Sequence, residues 1–257
     1  MAAMELIDSH CHLDVAEFDA DRQAVLQRAR AAGVHGIVVP GVTADGWQGL
    51  WELCTGEPDM YPALGLHPVY LETHDVADID RLGDWLADHR PVAIGEIGLD
   101  YYLRELDRER QQVLFEAQLE LARDAGLPVI LHVRKSHDQV LATLKRIRVP
   151  GGISHAFNGS LQQARQYMDL GFRLGFGGML TYERSSKLRA LAGQLPVEAL
   201  VLETDAPDMV VSRHRGERNS PEYLPQVLAA LAEVRGEAAA DLALQTAANT
   251  RSVLGLS

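Results

Sequence analysis

Two histidines flank a cysteine in the stretch ELIDSHCHLD, at the point where a short apolar run ends. Side chains of an extended chain alternate between its two faces, so His10 and His12 project to one side and Cys11 to the other. Neutral imidazole is a common ligand of zinc and other divalent ions. The spacing indicates either a pair of metal ligands or two surface histidines at the end of a strand.

Polar side chains that can ligate a metal recur at later apolar runs. Random scatter of ten histidines over 257 residues would rarely place five of them at such positions. A purely structural role, in which polar side chains hydrogen-bond to one another where strands end, could explain one or two of these histidines. It does not explain five histidines together with three carboxylates. These side chains are His10, His12, His67, Glu96, His132, His155, Glu203 and Asp205.

The remaining histidines and the two cysteines carry no such pattern. Cys11 and Cys54 form no CxxC pair, and we expect both to be buried free thiols. The other histidines fall in predicted turns or helices and are expected to face solvent: His35, His74, His89, His137 and His214.

Strands and helices have to position the candidate ligands, and short apolar runs alternate with longer amphipathic segments along the chain. Eight alternations in a chain of this length favour a (β/α)8 TIM barrel over an open doubly wound sheet, with residues 1–257 forming one domain. One or two closing helices are expected from about Asn219. The strands are predicted over 5–8, 36–40, 61–67, 91–98, 127–133, 151–157, 172–178 and 199–205, and representative helical segments cover 21–33, 108–126 and 161–171.

Catalytic residues of such barrels lie at the carboxyl ends of the strands, where the candidate ligands are found. Six of them are enough for two open metal sites holding Mg²⁺, Mn²⁺ or Zn²⁺. A two-metal centre activates water and clamps the oxygens of a displacement at phosphorus, so hydrolysis is the expected reaction. The predicted ligands are His10, His12, Glu96, His132, His155 and Asp205.

The two carboxylates of this set are assigned catalytic roles. Glu96 is expected to bridge the metals, because Ile94, Glu96 and Gly98 share one face of a regular strand and the neighbouring glycines leave room. Asp205 is expected to hold one metal and to accept the proton of the attacking water. Glu203 lies on the same face as Asp205 and is interpreted as a partner of a ligand rather than a ligand itself.

Three further residues are candidate substrate contacts. Arg134 shares a face with His132 and either binds a phosphate or forms a salt bridge. Arg218 and Asn219, in the segment RHRGERNSP, either contact a polymer backbone or belong to a solvated loop.

Composition limits the possible partners. The formal net charge of −12 excludes nucleic-acid binding through a broad basic surface, so the metals have to provide local affinity for phosphate. No apolar run is long enough to cross a bilayer, and the first residues lack a signal-like pattern. We therefore expect a cytoplasmic protein without an obligate protein partner.

Seven motifs occur in an order that resembles the TatD family of metal-dependent deoxyribonucleases, and in particular its YjjV-like branch. The resemblance implies a magnesium- or manganese-supported DNA hydrolase, often a 3′ to 5′ exonuclease on single strands, with the six ligands named above. It also implies roles around the site for His67 and Glu203. The motifs are DSHCHLD (8–14), ALGLHP (63–68), GEIGLDYY (95–102), LPVILHVR (127–134), HAFNGS (155–160), LETDAP (202–207) and RGERN (215–219).

The chain departs from the family pattern at two positions. Ala156 stands where many members carry cysteine, and Asp208 stands where many carry an aromatic residue or leucine. Asp208 is expected near the mouth of the site, where its charge would repel a phosphate chain.

Two other functions fit the same residues. The barrel could hydrolyse an amide, a lactone or an ester, including an aminoacyl ester on RNA, or it could bind metal without turnover. Many related binuclear hydrolases bridge their metals with a modified lysine, whereas Glu96 takes that position here, which favours phosphodiesters. The complete ligand set and Arg134 beside it argue against a non-catalytic protein.

Overall fold

The computed structural model describes residues 5–256, which form eight parallel strands paired in sequence order around a barrel. The amides of Ser9 and Asp205 donate to the carbonyls of Leu202 (2.9 Å) and His10 (2.8 Å), and these bonds join the last strand to the first. The predicted (β/α)8 fold is confirmed. The strands are β1 (Leu6–Asp8), β2 (Val34–Pro40), β3 (Met60–Leu64), β4 (Ala93–Asp100), β5 (Val129–Arg134), β6 (Gly152–Ser154), β7 (Phe172–Phe176) and β8 (Leu200–Leu202).

Helices connect the strands and cover the outside of the barrel. The fourth helix begins where the Asp107 carboxylate accepts from the amides of Glu109 and Arg110. A capping box between Ser160 and Gln163 starts the sixth. The helices are α1 (Arg22–Ala31), α2 (Trp47–Thr55), α3 (Ala77–Asp88), α4 (Arg108–Ala125), α5 (His137–Arg146), α6 (Leu161–Asp169), α7 (Ser186–Gln194), α8 (Leu224–Arg235) and α9 (Ala239–Leu254).

Four strands end earlier than predicted, at Leu64, Ser154, Phe176 and Leu202 instead of residues 67, 157, 178 and 205. Ala156 and Asp205 have φ values of 44° and 58°, which no β-strand residue adopts. The chain therefore leaves the sheet before the polar residues. The ligands after these strands lie on the first residues of the loops.

The buried residues of the strands form two hydrophobic clusters. One fills the barrel interior and contains one residue from each of six strands together with Leu254 of α9. The other is larger and lies between the strands and the helices. Ala93 belongs to the interior cluster and Ile94 to the outer one. The interior residues are Val38, Ala63, Ala93, Ile130, Ile153 and Val201.

An irregularity in β4 brings Glu96 into the barrel. Ile94 pairs with Val129 and Ile97 pairs with Leu131. Between these two pairs β4 advances by three residues while β5 advances by two, so β4 contains a β-bulge with one extra residue. The expectation that Ile94 and Glu96 share a face was wrong, because this bulge switches the face between them. Glu96 nevertheless points into the barrel mouth, where histidines of other strands contact it.

No helix within residues 5–256 is long and apolar enough to cross a membrane.

Gly98 is required by the close contact between β4 and β5. Its φ is 146°, and a Cβ atom at this position would lie 2.0 Å from the carbonyl oxygen of His132. Gly98→Ala should lower the free energy of unfolding by about 3 kcal/mol or more, measured by urea denaturation.

Gly83 is the matched control, since it lies inside α3 and its added Cβ would come no closer than 3.9 Å to Leu121. Gly83→Ala should be neutral or stabilise by up to about 1 kcal/mol. Equal stability of the two variants would contradict the packing described for β4.

Candidate metal centre

The Glu96 carboxylate lies at the centre of the barrel mouth, where five imidazoles contact it. The side chain is 1% exposed. Each of its two oxygens faces a different set of histidines. Oε2 lies 3.0 Å from His10 Nε2 and 3.4 Å from His12 Nε2. Oε1 lies 2.9 Å from His132 Nδ1, 3.1 Å from His67 Nε2 and 3.2 Å from His155 Nε2.

Asp205 lies on the side of the cluster formed by His10 and His12. Its Oδ1 atom is 3.6 Å from His10 Nε2 and 3.7 Å from His12 Nε2. The positive φ of Asp205 and the bond from its amide to the His10 carbonyl fix the loop at this point. The structure thus brings together all six side chains that the sequence predicts as ligands.

Three overlapping groups of donor atoms lie close enough to hold a metal ion, with all atoms of a group within 4.8 Å of one another. The Nε2 atoms of His10 and His12 are 3.2 Å apart and converge on the same carboxylate, an arrangement that a divalent cation satisfies. His67 belongs to one of these groups, so its imidazole lies among the candidate metal ligands rather than around them. The groups are His10, His12 and Glu96; His10, His155 and Asp205; and His67, Glu96 and His132.

Electrostatics keep His10, His67 and the two carboxylates in the protonation states that bind metals. Burial lowers the pKa of His10 well below its usual value and that of His67 to about 4, so both imidazoles are neutral at pH 7. Burial alone would raise the pKa of Glu96, but the surrounding histidines hold it well below its usual value. Burial raises the pKa of Asp205 to about 6, which leaves most of this carboxyl ionised at pH 7.

Burial alone would lower the pKa of the other three imidazoles, but the ionised Glu96 outweighs burial. The pKa of His12 is raised to about 9, and those of His132 and His155 lie above their usual value. A metal therefore has to displace protons from these three imidazoles.

Asp100 orients His132, a role for which the sequence analysis assigned no residue. The Nε2 atom of His132 lies 3.0 Å from Asp100 Oδ2, which leaves Nδ1 facing Glu96. The other Asp100 oxygen accepts from the amides of Tyr102 and Leu103. Asp100 ends the motif GEIGLD two residues after Gly98, and this alternation was a usable signal.

Glu203 supports the loop that carries His155. Its Oε1 atom accepts from the Ala156 amide at 2.6 Å and lies 3.6 Å from His155 Nδ1. Gly175 makes room for this carboxylate, because a Cβ atom there would be 2.1 Å from Glu203 Oε2. Glu203 is therefore placed beside a candidate ligand rather than among the donor atoms that face Glu96.

The loop that carries Asp205 is held from two directions. Asn219 is fully buried, and its Nδ2 atom donates to the carbonyls of Thr204 (2.8 Å) and Asp208 (2.7 Å), one on each side of Asp205. Asp8 accepts from the amide and the hydroxyl of Thr204. Asn219 is thus a positioning residue for this loop and does not face the cleft.

The two candidate arginines have different surroundings. Arg134 lines the cleft, with its guanidinium 3.8 Å from the centre of the Tyr102 ring and 3.9 Å from Asp100 Oδ2. Arg218 instead pairs with Asp21 at 2.8 Å and covers the ring of Phe18. The structure does not bring Arg218 to the site.

Two histidines expected to face solvent are buried. His74 Nε2 lies 2.8 Å from the His67 carbonyl, and His137 lies between Tyr167 and Asn158. Their loops and helix ends pack over the barrel and provide these partners. Cys11 and Cys54 are buried free thiols, as predicted.

The chain matches the family model described as "TatD related DNase" over residues 7–255. It is 43% identical over 254 residues to the uncharacterized metal-dependent hydrolase YjjV of Escherichia coli K12, covering 97% of this chain and 98% of that protein. It is 35% identical over 258 residues to a Klebsiella pneumoniae protein named 3′-5′ ssDNA/RNA exonuclease TatD, covering 98% of each. The crystal structure of YjjV superposes with a TM-score of 0.96 at 41% identity, covering 99% of this chain and 100% of that chain.

The chain therefore belongs to the TatD-related DNase family, and the resemblance seen in its motifs is confirmed. It is a metal-dependent hydrolase of this family, and its histidine and carboxylate groups are able to hold metal.

The contact between Asp100 and His132 predicts a measurable loss of metal affinity. Asp100→Asn keeps the shape of the side chain but removes the charge that orients the imidazole, and such partners are worth about 10- to 100-fold in metal affinity. We expect a loss of this size in the zinc affinity measured by calorimetry.

Asp84→Asn, an exposed change on α3, serves as the control and should bind zinc as the unmodified protein does. Unchanged zinc affinity of Asp100→Asn would show that Asp100 does not position His132.

Proposed function

We propose that the chain is a binuclear metal-dependent phosphodiesterase that shortens single-stranded DNA from its 3′ end. The observation that carries this proposal is the Glu96 carboxylate, whose two oxygens face two different sets of histidines. The Klebsiella relative, whose name states 3′-5′ exonuclease action on single strands, supports the substrate class.

The residues divide between two ions in this proposal. His10, His12, Asp205 and Glu96 would hold one ion, and His132, His155 and Glu96 would hold the other, with His67 beside the second. When bound, two divalent ions, Mg²⁺, Mn²⁺ or Zn²⁺, make water a better nucleophile and stabilise the charge that develops on a phosphate.

Groups of the chain supply the remaining chemistry. Attack of water forms a new phosphorus–oxygen bond and breaks the bond to the leaving ester oxygen. Asp205 accepts the proton that the water loses, and the leaving oxygen takes up a proton from solvent. Arg134 donates to the phosphate from the edge of the cleft, while Glu203 and Asp100 keep His155 and His132 in place.

A second candidate function is hydrolysis of an amide, lactone or ester, including an aminoacyl ester on RNA. The cleft has apolar residues on its wall, Met179 and Leu188 among them, and Glu17 and Asp208 at its edge. An uncharged, partly apolar substrate would fit these residues. The same metal centre would activate water in both reactions.

End-labelled single-stranded DNA distinguishes the two functions. With Mg²⁺ or Mn²⁺ the unmodified protein should shorten a 5′-labelled strand stepwise and release the label of a 3′-labelled strand at once. Glu96→Ala should lower the rate by about a thousandfold or more, corresponding to roughly 4 kcal/mol of transition-state stabilisation, and chelation should abolish the reaction.

Glu105→Ala is the control, because Glu105 is exposed on the loop after β4. Thermal unfolding of Glu96→Ala and Glu96→Gln checks that the barrel is intact. Absence of DNA shortening by protein shown to carry metal, together with turnover of an ester or a lactone, would replace the first function by the second.

A further inference from the structure

We propose that a single-stranded nucleic acid leaves the metal centre in one direction only, across the loops that follow β5, β6 and β7. The neighbouring side, formed by the loops after β8 and β1, then accepts no continuing phosphate chain. This inference rests on the proposed phosphodiesterase function and assigns a path to the substrate.

The cleft is not centred on the metal-binding groups. Its volume is about 1050 Å³, at the upper end of the range for small-molecule sites. Besides the candidate ligands, its lining includes residues of the loops after β6 and β7 and of the first turn of α7, where Ser186 and Leu188 belong to it. A phosphate with one nucleoside does not require a cleft of this size.

The side chains of this part of the cleft match the two chemical parts of an unpaired strand. Met179 and Leu188 are half-buried and offer apolar surface to the bases, while Arg134, Arg184 and Lys187 are exposed at the edge and offer cations to the phosphates. Single-strand sites combine apolar or aromatic surface with cations along the backbone in this way. Arg134 ends β5, and Arg184 and Lys187 follow β7, so the three cations lie on one arc of the barrel.

The neighbouring arc, around β8 and β1, carries charges of the other sign. Glu17, in the loop after β1, and Asp208, in the loop after β8, line the same cleft as Asp205. A second phosphate on this side would meet two like charges.

The distribution of charge explains how an acidic protein holds a polyanion at one place. The strand meets cations along one arc, and its end lies at the metals, beside Glu17 and Asp208. Cleavage therefore takes place near an end of the strand, because internal cleavage would force the chain across both carboxylates.

Binding of fluorescent oligothymidylate tests the basic arc. In an Asp205→Asn background, which blocks turnover, Arg184→Glu combined with Lys187→Glu should weaken binding about tenfold or more. The salt dependence of log Kd should fall by about 0.7 per lost phosphate contact.

Lys145→Glu combined with Arg165→Glu is the matched control, since it changes the net charge equally on the outer helices α5 and α6. Equal weakening by both pairs, or no binding of oligothymidylate before any change, overturns the proposed path.

Closed circular single-stranded DNA tests the acidic arc. The unmodified protein should degrade a linear strand and leave the circle intact, and Glu17→Gln combined with Asp208→Asn should raise cleavage of the circle at least tenfold. Cleavage of the circle as fast as the linear strand by the unmodified protein overturns the inference, as does a circle that stays intact in the double variant.

A small aryl phosphodiester separates this inference from the proposed function. The Arg184 and Lys187 pair should lower the ratio of kcat/KM for a long strand to kcat/KM for the small diester about tenfold. Failure of the unmodified protein to hydrolyse either substrate refutes the phosphodiesterase function, whereas an unaltered ratio refutes only the path of the strand.

Discussion

The contact of one buried carboxylate with five imidazoles is the constraint on which the rest of the structure depends. A carboxylate as buried as Glu96 is stable in its ionised form only when positive or hydrogen-bonding groups surround it. The five histidines come from the ends of β1, β3, β5 and β6, so these groups meet only when the barrel has closed. The site and the fold are therefore formed together.

Residues that do not touch the carboxylate hold the donors in place. Asp100 orients His132 from one side, Glu203 holds the loop of His155, and Asn219 and Asp8 fix the loop that carries Asp205. Each of these contacts joins segments that are distant in the chain or in successive loops. The geometry of the donor atoms thus depends on hydrogen bonds around the mouth of the barrel.

Much of the fold and most of the cluster could be predicted from the sequence, because both follow from local patterns. Apolar runs ending in polar residues identify strands of a barrel, and all carboxyl ends of parallel strands meet at one face. The prediction was wrong where a contact between distant segments decides the outcome. The bulge in β4 separates Ile94 from Glu96, and the fold buries His74 and His137. The pairing of Arg218 with Asp21 likewise joins segments far apart in the chain, and no local pattern signals it.

Anomalous diffraction from crystals soaked in Mn²⁺ tests the central claim most directly, since it locates the ions without reference to any substrate. Our account predicts two peaks, one on each side of the Glu96 carboxylate, near His10 and His12 on one side and near His132 and His155 on the other. A single peak, or two peaks that leave Glu96 uncoordinated, would contradict a centre built around this carboxylate.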